Sequence, residues 1–393
     1  MTPGLARLCM IALLAYSSYA ICRIPLLPLL ASDLGADARM VGLIVGASTL
    51  TGVLVKLPAG ALSDVLGRRP LLVTGAIVFA VMPFTYIGVA SLSTLVTLRF
   101  VHGSATAIFG PVASASLSDV APVGRRGTWL STYSAVQGAG QALGPVVAGY
   151  LVASGRYDLA FGLAGLLALV TPLLASRWPS ALPSPSSSPS PSTAHPLQRF
   201  TEGIAEVGRD RLILLTSLAQ AAQFMLYGTL NAFLPLFARE ILGMSASGLG
   251  WLFALQTVTT LAIRPLTGMF SDRVGRRGVI VAGLVLSSSA VVLISTVTAV
   301  PALVPAVVLY AAGIALTAAA ASAYITDLSH RARYGAAHGV FGTIYDVGDA
   351  TGPIAAGFLV AAVGYAATFR IMACVTLAIT LLFVFGTRQR PAG

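Results

Sequence analysis

Charge is what this sequence lacks. Asp, Glu, Lys and Arg make up 9% of its 393 residues, against about 25% in soluble globular proteins. Hydrophobic residues make up 56%, and the mean hydropathy is +0.86. So few charges cannot cover the surface of a soluble chain of this length, so lipid must cover most of it. The apolar runs are continuous, which excludes the short alternating strands of a membrane β-barrel and leaves an all-α membrane protein. Cysteine is scarce as well. Cys9, Cys22 and Cys374 lie in apolar runs without metal-ligand spacing, so neither a disulfide framework nor a zinc site is indicated. The net charge is +11, yet the arginines are scattered in short loops and no basic face with interleaved aromatics forms. Nucleic acid is thereby excluded as a partner. No Gly-rich phosphate loop or nucleophile–base set stands out, so no enzyme, metal or cofactor is expected.

What the chain has is long apolar runs. A span needs about 20 apolar residues. Twelve are read near 6–30, 40–62, 71–90, 92–117, 128–153, 158–177, 211–238, 247–270, 279–298, 301–326, 336–361 and 366–386. Between the sixth and seventh lies WPSALPSPSSSPSPSTAHPLQRF, from Trp178 to Phe200, where Pro and Ser alternate and too little apolar surface exists to fold. This gives an N-terminal six-helix bundle (1–177), a linker (178–208) and a C-terminal six-helix bundle (209–393). Arg7 and Ser18-Tyr19-Ala20 imitate a cleaved signal peptide, but the apolar run continues past Ala20. One set of loops and ends collects Arg7, Arg68, Arg69, Arg125, Arg126, Arg177, Arg199, Arg209, Arg211, Arg273, Arg276, Arg277, Arg331, Arg333, Arg388 and Arg390. The other collects only Arg39, Arg156, Arg239 and Arg370. The positive-inside rule then makes both termini and the linker cytoplasmic.

The loop GALSDVLGRRP, from Gly60, returns as GMFSDRVGRRG, from Gly268. An offset of 208 pairs Gly60, Asp64, Gly67, Arg68 and Arg69 with Gly268, Asp272, Gly275, Arg276 and Arg277. It also pairs Lys56 with Arg264, Asp119 with Asp327, and Arg125 with Arg333. Further on, Gly140, Gly144, Pro145 and Gly149 match Gly348, Gly352, Pro353 and Gly357. The halves are therefore parallel repeats of six spans each.

These residues carry a resemblance to the major facilitator superfamily along nearly the whole chain. The loop at Gly60–Arg69 resembles that family's signature between the second and third helices, with its copy between the eighth and ninth. Leu95-x-x-x-Arg99-x-x-His102-Gly103 is similar to the fourth-helix motif, with His102 where Gln is usual. Gly140-x-x-x-Gly144-Pro145-x-x-Ala148-Gly149 resembles the fifth-helix motif of drug/proton antiporters, and Pro25-Leu-Leu-Pro28 the first-helix ending of twelve-span exporters. The resemblance implies the major facilitator fold and a cytoplasmic latch in which Asp64 takes part. Gly67 and Gly275 suit tight reversals, and Arg68 and Arg69 act as topological anchors. GAGQALG, from Gly138, has the wrong spacing for a dinucleotide loop and reads, like Gly348–Pro353, as small-residue helix packing.

Ionisable residues inside the membrane are functional candidates because burying them is costly. Arg23, Arg99, His102, Asp346 and Asp349 qualify. Lys56 and Arg264 sit nearer the Arg-rich ends and are expected to snorkel to headgroups without a substrate role. Asp346 and Asp349 share a helix face, and their mutual repulsion makes them candidates to carry a proton, or to neutralise Arg23 or Arg99. Tyr19, Gln141, Gln223, Tyr227 and Asn231 complete the candidate substrate set, with Tyr16, Gln137, Gln220, Gln256 and Tyr310 beside them. The expected function is secondary transport by a monomer in the cell membrane: proton-coupled export of small amphiphilic compounds. The alternatives are an organic-anion carrier or importer using Arg23 and Arg99, and a non-transporting sensor.

Overall fold

The computed structural model describes residues 3–122, 125–179, 208–329 and 334–387, with backbone alone at 57, 61, 64, 65 and 334–336. Most of the Pro/Ser linker, Arg199, Arg331, Arg333, Arg388, Arg390 and the side chain of Asp64 lie outside the described residues. Every regular element among the described residues is a helix. The first span is α1 (Pro3–Ile21) with α2 (Leu26–Asp33), interrupted by a turn at residues 22–25. Then come α3 (Ala38–Leu66), α4 (Arg68–Thr85), α5 (Leu92–Val120) and α6 (Arg126–Ala153). The sixth span is α7 (Tyr157–Ala168) with α8 (Thr171–Ser176). The second half holds α9 (Arg211–Glu240), α10 (Ala246–Val274), α11 (Arg276–Ile294), α12 (Val300–Leu328) and α13 (Tyr334–Gly386).

Ten helices are long and apolar enough to cross a membrane among the described residues. Two details bring the passes to twelve. α13 breaks at Gly364, whose φ of +76° only glycine adopts readily, and so crosses twice. α6 is long enough at 28 residues, but Thr128, Ser131, Thr132, Gln137, Gln141 and its glycines dilute its apolar character. It can be polar because its faces meet protein: α1 on one side and α10 on the other.

The repeat is visible in local chemistry. Asp37 caps α3 by accepting from the Met40 N–H, and its counterpart Ser245 caps α10 by accepting from Gly248. Gly67 and Gly275 link α3 to α4 and α10 to α11 with φ of +86° and +98°. Gly140 and Gly144 let α6 approach α1 at Leu13, Ser17 and Ala20, as Gly348 and Gly352 let α13 approach α9 at Ala221 and Met225. The two halves then meet along two equivalent seams. Gly149 packs on Ala246 and Gly250, and Gly250 on the Pro145 carbonyl; Gly357 packs on Ala38, and Gly42 on the Pro353 carbonyl. Each residue of one seam has its 208-offset partner in the other. Side chains would hold these backbones apart, so the small residues set the contact distance.

Both seams close at the end away from the Arg-rich loops. There Arg239 bridges to Asp33 at 2.8 Å and to Ser32, and the Trp251 indole donates to the Tyr150 hydroxyl at 3.2 Å. At the Arg-rich end, Leu62 and Leu66 of α3 and Leu266, Met269, Phe270 and Val274 of α10 are exposed. The loops there are tied within their own halves. Arg68 pairs with Asp119 and Ser63, while Arg276 pairs with Asp327, Ser271 and Asp272. Arg277 donates to the Val384 carbonyl. Arg125 is exposed at the start of α6, and a Cβ at Gly60 or Gly268 would meet open space.

Candidate substrate cavity

A cavity lies between the halves at mid-span. α1 and the turn after it supply Tyr16, Tyr19 and Arg23 at positions i, i+3 and i+7, one face of a helix. α3 supplies Ser48, Thr49, Gly52 and Lys56, and α6 supplies Gln141 and Pro145. From the second half come Tyr227 and Asn231 of α9, Phe253, Gln256 and Thr257 of α10, and Asp346 and Asp349 of α13.

Both acids are engaged by cations of the opposite half. Lys56 donates to Asp346 Oδ2. Arg23 lies 3.5 Å from Asp349 Oδ2, to which the Thr49 hydroxyl also donates at 3.0 Å. The cations stand over aromatic faces: Arg23 over Tyr227 at 5.7 Å and Lys56 over Tyr345 at 5.5 Å. Lys56 is the residue that sequence reasoning set aside. It does not snorkel to a headgroup, because its position on α3 faces the seam with α13, where a carboxylate waits. One signal was available: Lys56 is the only lysine in the sequence. Among the described residues Arg264, its repeat counterpart, has no such acid, since the counterpart of Asp346 is Gly138, packed on Leu261.

Arg99 and His102 lie off the cavity wall, in a fully buried cluster inside the first half. Arg99 donates to the Ser48 hydroxyl at 2.6 Å and sits 5.6 Å from the centre of the Tyr19 ring. His102 is 3.3 Å from the Tyr86 hydroxyl and packs edge-on against Tyr19 at 5.0 Å. Tyr19 and Ser48 touch both this cluster and the cavity, so they connect the two. Gln223 is also off the wall, accepting from Thr317 at 3.4 Å. The structure thus brings Tyr19, Arg23, Gln141, Tyr227, Asn231, Asp346 and Asp349 together, and keeps Arg99, His102 and Gln223 apart from them. Thr49, Phe253 and Thr257 join the wall without any prior signal in the sequence.

This is a bundle of paired six-span repeats around a central charged cavity, and the family model described as the Major Facilitator Superfamily matches residues 8–243 and 216–393. The chain belongs to the Major Facilitator Superfamily. An uncharacterised MFS-type transporter of Methanocaldococcus jannaschii is 22% identical over 358 residues, covering 91% of this chain and 92% of that protein. The quinolone resistance protein NorA of Staphylococcus aureus is 29% identical over 147 residues, 37% of this chain and 38% of that protein. Among solved structures, a bacterial homologue of the human lysosomal transporter Spinster, in its inward-facing and unoccupied conformation, superposes with a TM-score of 0.77 at 16% identity. That match covers 98% of this chain and 96% of the other. This superfamily member is a multi-pass membrane transporter, not an enzyme.

Proposed function

We propose that the chain is a proton-coupled exporter of small amphiphilic organic compounds, working as a monomer by alternating access in the cell membrane. The observation that carries this reading is the pair of ion pairs across the cavity, Arg23–Asp349 and Lys56–Asp346. In each, the cation belongs to the first half and the acid to the second. While the acids are ionised, the pairs draw α13 towards α1 and α3. A proton on either acid cancels one attraction, so the bond between halves depends on protonation. That links a proton to the rocking of one half against the other.

With both termini and the linker cytoplasmic, the open end faces the cytoplasm, and substrate enters the cavity from there. The paired charges cancel, and tyrosines and amides line the remaining wall, which suits a molecule of low net charge. Export is supported by the fifth-helix motif and by the partial likeness to NorA. In reconstituted vesicles with an imposed pH gradient, Asp346→Asn and Asp349→Asn should each lower gradient-driven substrate movement about tenfold or more, as loss of a buried charged partner does. Exchange without a gradient should persist. Full gradient-driven transport in the double Asn variant would refute the coupling. A second reading, an anion carrier or importer, is favoured by the one-to-one match of cations and acids: protonating an acid would free a cation for an anion. It requires substrate and proton to move in the same direction, which the same vesicles report.

A further inference from the structure

The Arg23–Asp349 pair uses only part of each partner. Its contact joins one guanidinium NH2 to Asp349 Oδ2 at 3.5 Å, longer than a hydrogen bond. Arg23 Nε and Asp349 Oδ1 are buried and have no hydrogen-bond partner among the described residues. Two more cavity residues are in the same condition: Asn231 through Nδ2 and Gln256 through Oε1. Their side chains are nearly inaccessible, Asn231 at 1% and Gln256 at 5% exposure. The unmet groups are therefore two donors, on Arg23 and Asn231, and two acceptors, on Asp349 and Gln256. A buried polar group without a partner is costly, so a ligand that offers both an acceptor and a donor would relieve this set.

We propose that the cavity binds a zwitterion: an organic molecule with an ammonium and a carboxylate close together on an aromatic or aliphatic body. Its carboxylate takes Arg23 Nε and Asn231 Nδ2, and its ammonium takes Asp349 Oδ1 and Gln256 Oε1. The ligand's two charges lie antiparallel alongside the protein's ion pair, so that pair need not break. Tyr16, Tyr19, Tyr227 and Phe253 receive the apolar body. Selectivity follows from what the wrong ligands meet. A simple cation contacts Asp349 with Arg23 and Lys56 beside it and leaves the donors unmet. A simple anion contacts Arg23 with Asp346 and Asp349 beside it and leaves the acceptors unmet. Each suffers a like-charge neighbour in a confined site, which is discrimination by repulsion as well as by attraction.

The inference rests on the central cavity being the transport site. Its test uses the full-length purified protein at neutral pH and four probes with one phenyl body: phenylalanine, 2-phenylethylamine, 3-phenylpropanoate and 3-phenylpropanamide. Phenylalanine should bind about tenfold more tightly than each of the others, the worth of one extra charge-assisted contact. Asn231→Ala should narrow its lead over 2-phenylethylamine, because the carboxylate loses a donor. Gln256→Ala should narrow its lead over 3-phenylpropanoate, because the ammonium loses an acceptor. The proposal is overturned if any other probe equals phenylalanine, if none binds at millimolar concentration, or if both variants weaken all four alike. The pH-gradient assay separates this from the coupling reading. Lost coupling in Asp346→Asn without zwitterion preference discards the substrate class alone. Zwitterion preference with transport indifferent to the gradient discards the coupling alone.

Discussion

Lys56 and Asp346 lie 290 positions apart in sequence, and each makes sense only through the other. Removing one partner leaves the other charge uncompensated in a partly buried site, whereas removing both leaves an uncharged contact. Lys56→Gln and Asp346→Asn should therefore each lower stability by about 1–3 kcal/mol, seen as a lower melting temperature. The double variant should recover part of that loss. A double-mutant cycle on thermal unfolding measures the coupling, and additive effects would show that the two do not act as a pair. Arg99 belongs to another circuit. Its guanidinium is held by Ser48 and the Tyr19 ring rather than by an acid among the described residues, so its influence on the cavity runs through those two residues. Its depth in the membrane was legible from the sequence. Its direction was not, because α5 is apolar on the side facing lipid and on the side facing its own half. The same blindness placed Lys56 at the headgroups: a span apolar all round gives no periodicity from which to read rotation about its axis.

Among the elements, α6 and α13 show how much the internal repeat disclosed. Their matching Gly and Pro positions announced close packing before any contact was known, and the constant offset announced that the two helices hold equivalent places. The span of α6 was legible although its hydropathy is diluted, since a helix shielded on two faces by protein can carry Gln137, Gln141 and several hydroxyls. The equivalence has a mechanical consequence. Gly149 and Gly357 press on backbone of the opposite half where the seams are closed. An added methyl at either should force the seams apart there and favour the state open at that end. Gly149→Ala and Gly357→Ala should shift the populations in the same direction, read as a longer distance between spin labels placed near residues 38 and 357 and near 149 and 246. A change in only one of the two variants would show that the halves do not share the load equally.

At the scale of the whole molecule, the halves are joined at one end by Arg239 and Asp33 and in the middle by the cavity's ion pairs. At the other end, among the described residues, Arg68 pairs with Asp119 and Arg276 with Asp272 and Asp327, each within its own half. The arrangement was only partly predictable. Twelve passes, the repeat and the division into halves follow from apolar runs and the offset of 208 residues. Which end stands open does not, because a transporter's sequence encodes both states and their energy difference is small. The orientation read from arginine counts has its own check. A cysteine replacing Ser187 in the Pro/Ser linker should react with an impermeant thiol reagent only from the cytoplasmic side, and labelling from outside would invert the assignment.

The solitary lysine has a practical use. An amine-reactive ester applied to this protein has one side-chain target in the sequence, Lys56, whose side chain is 30% exposed beside Asp346. The cavity thus comes with a built-in single-address chemical handle. Acylation should proceed from the cavity as the pair opens, slow further when substrate fills the cavity, and become faster when Asn replaces Asp346 and the amine is released from its carboxylate. Mass spectrometry of the Lys56 peptide would follow all three. An acylation rate unchanged by Asp346→Asn would mean that the amine is not held by that acid in solution. With the pair intact, the extent of modification becomes a clock for how often the mid-membrane contact lets go, readable without purifying the substrate or engineering the chain.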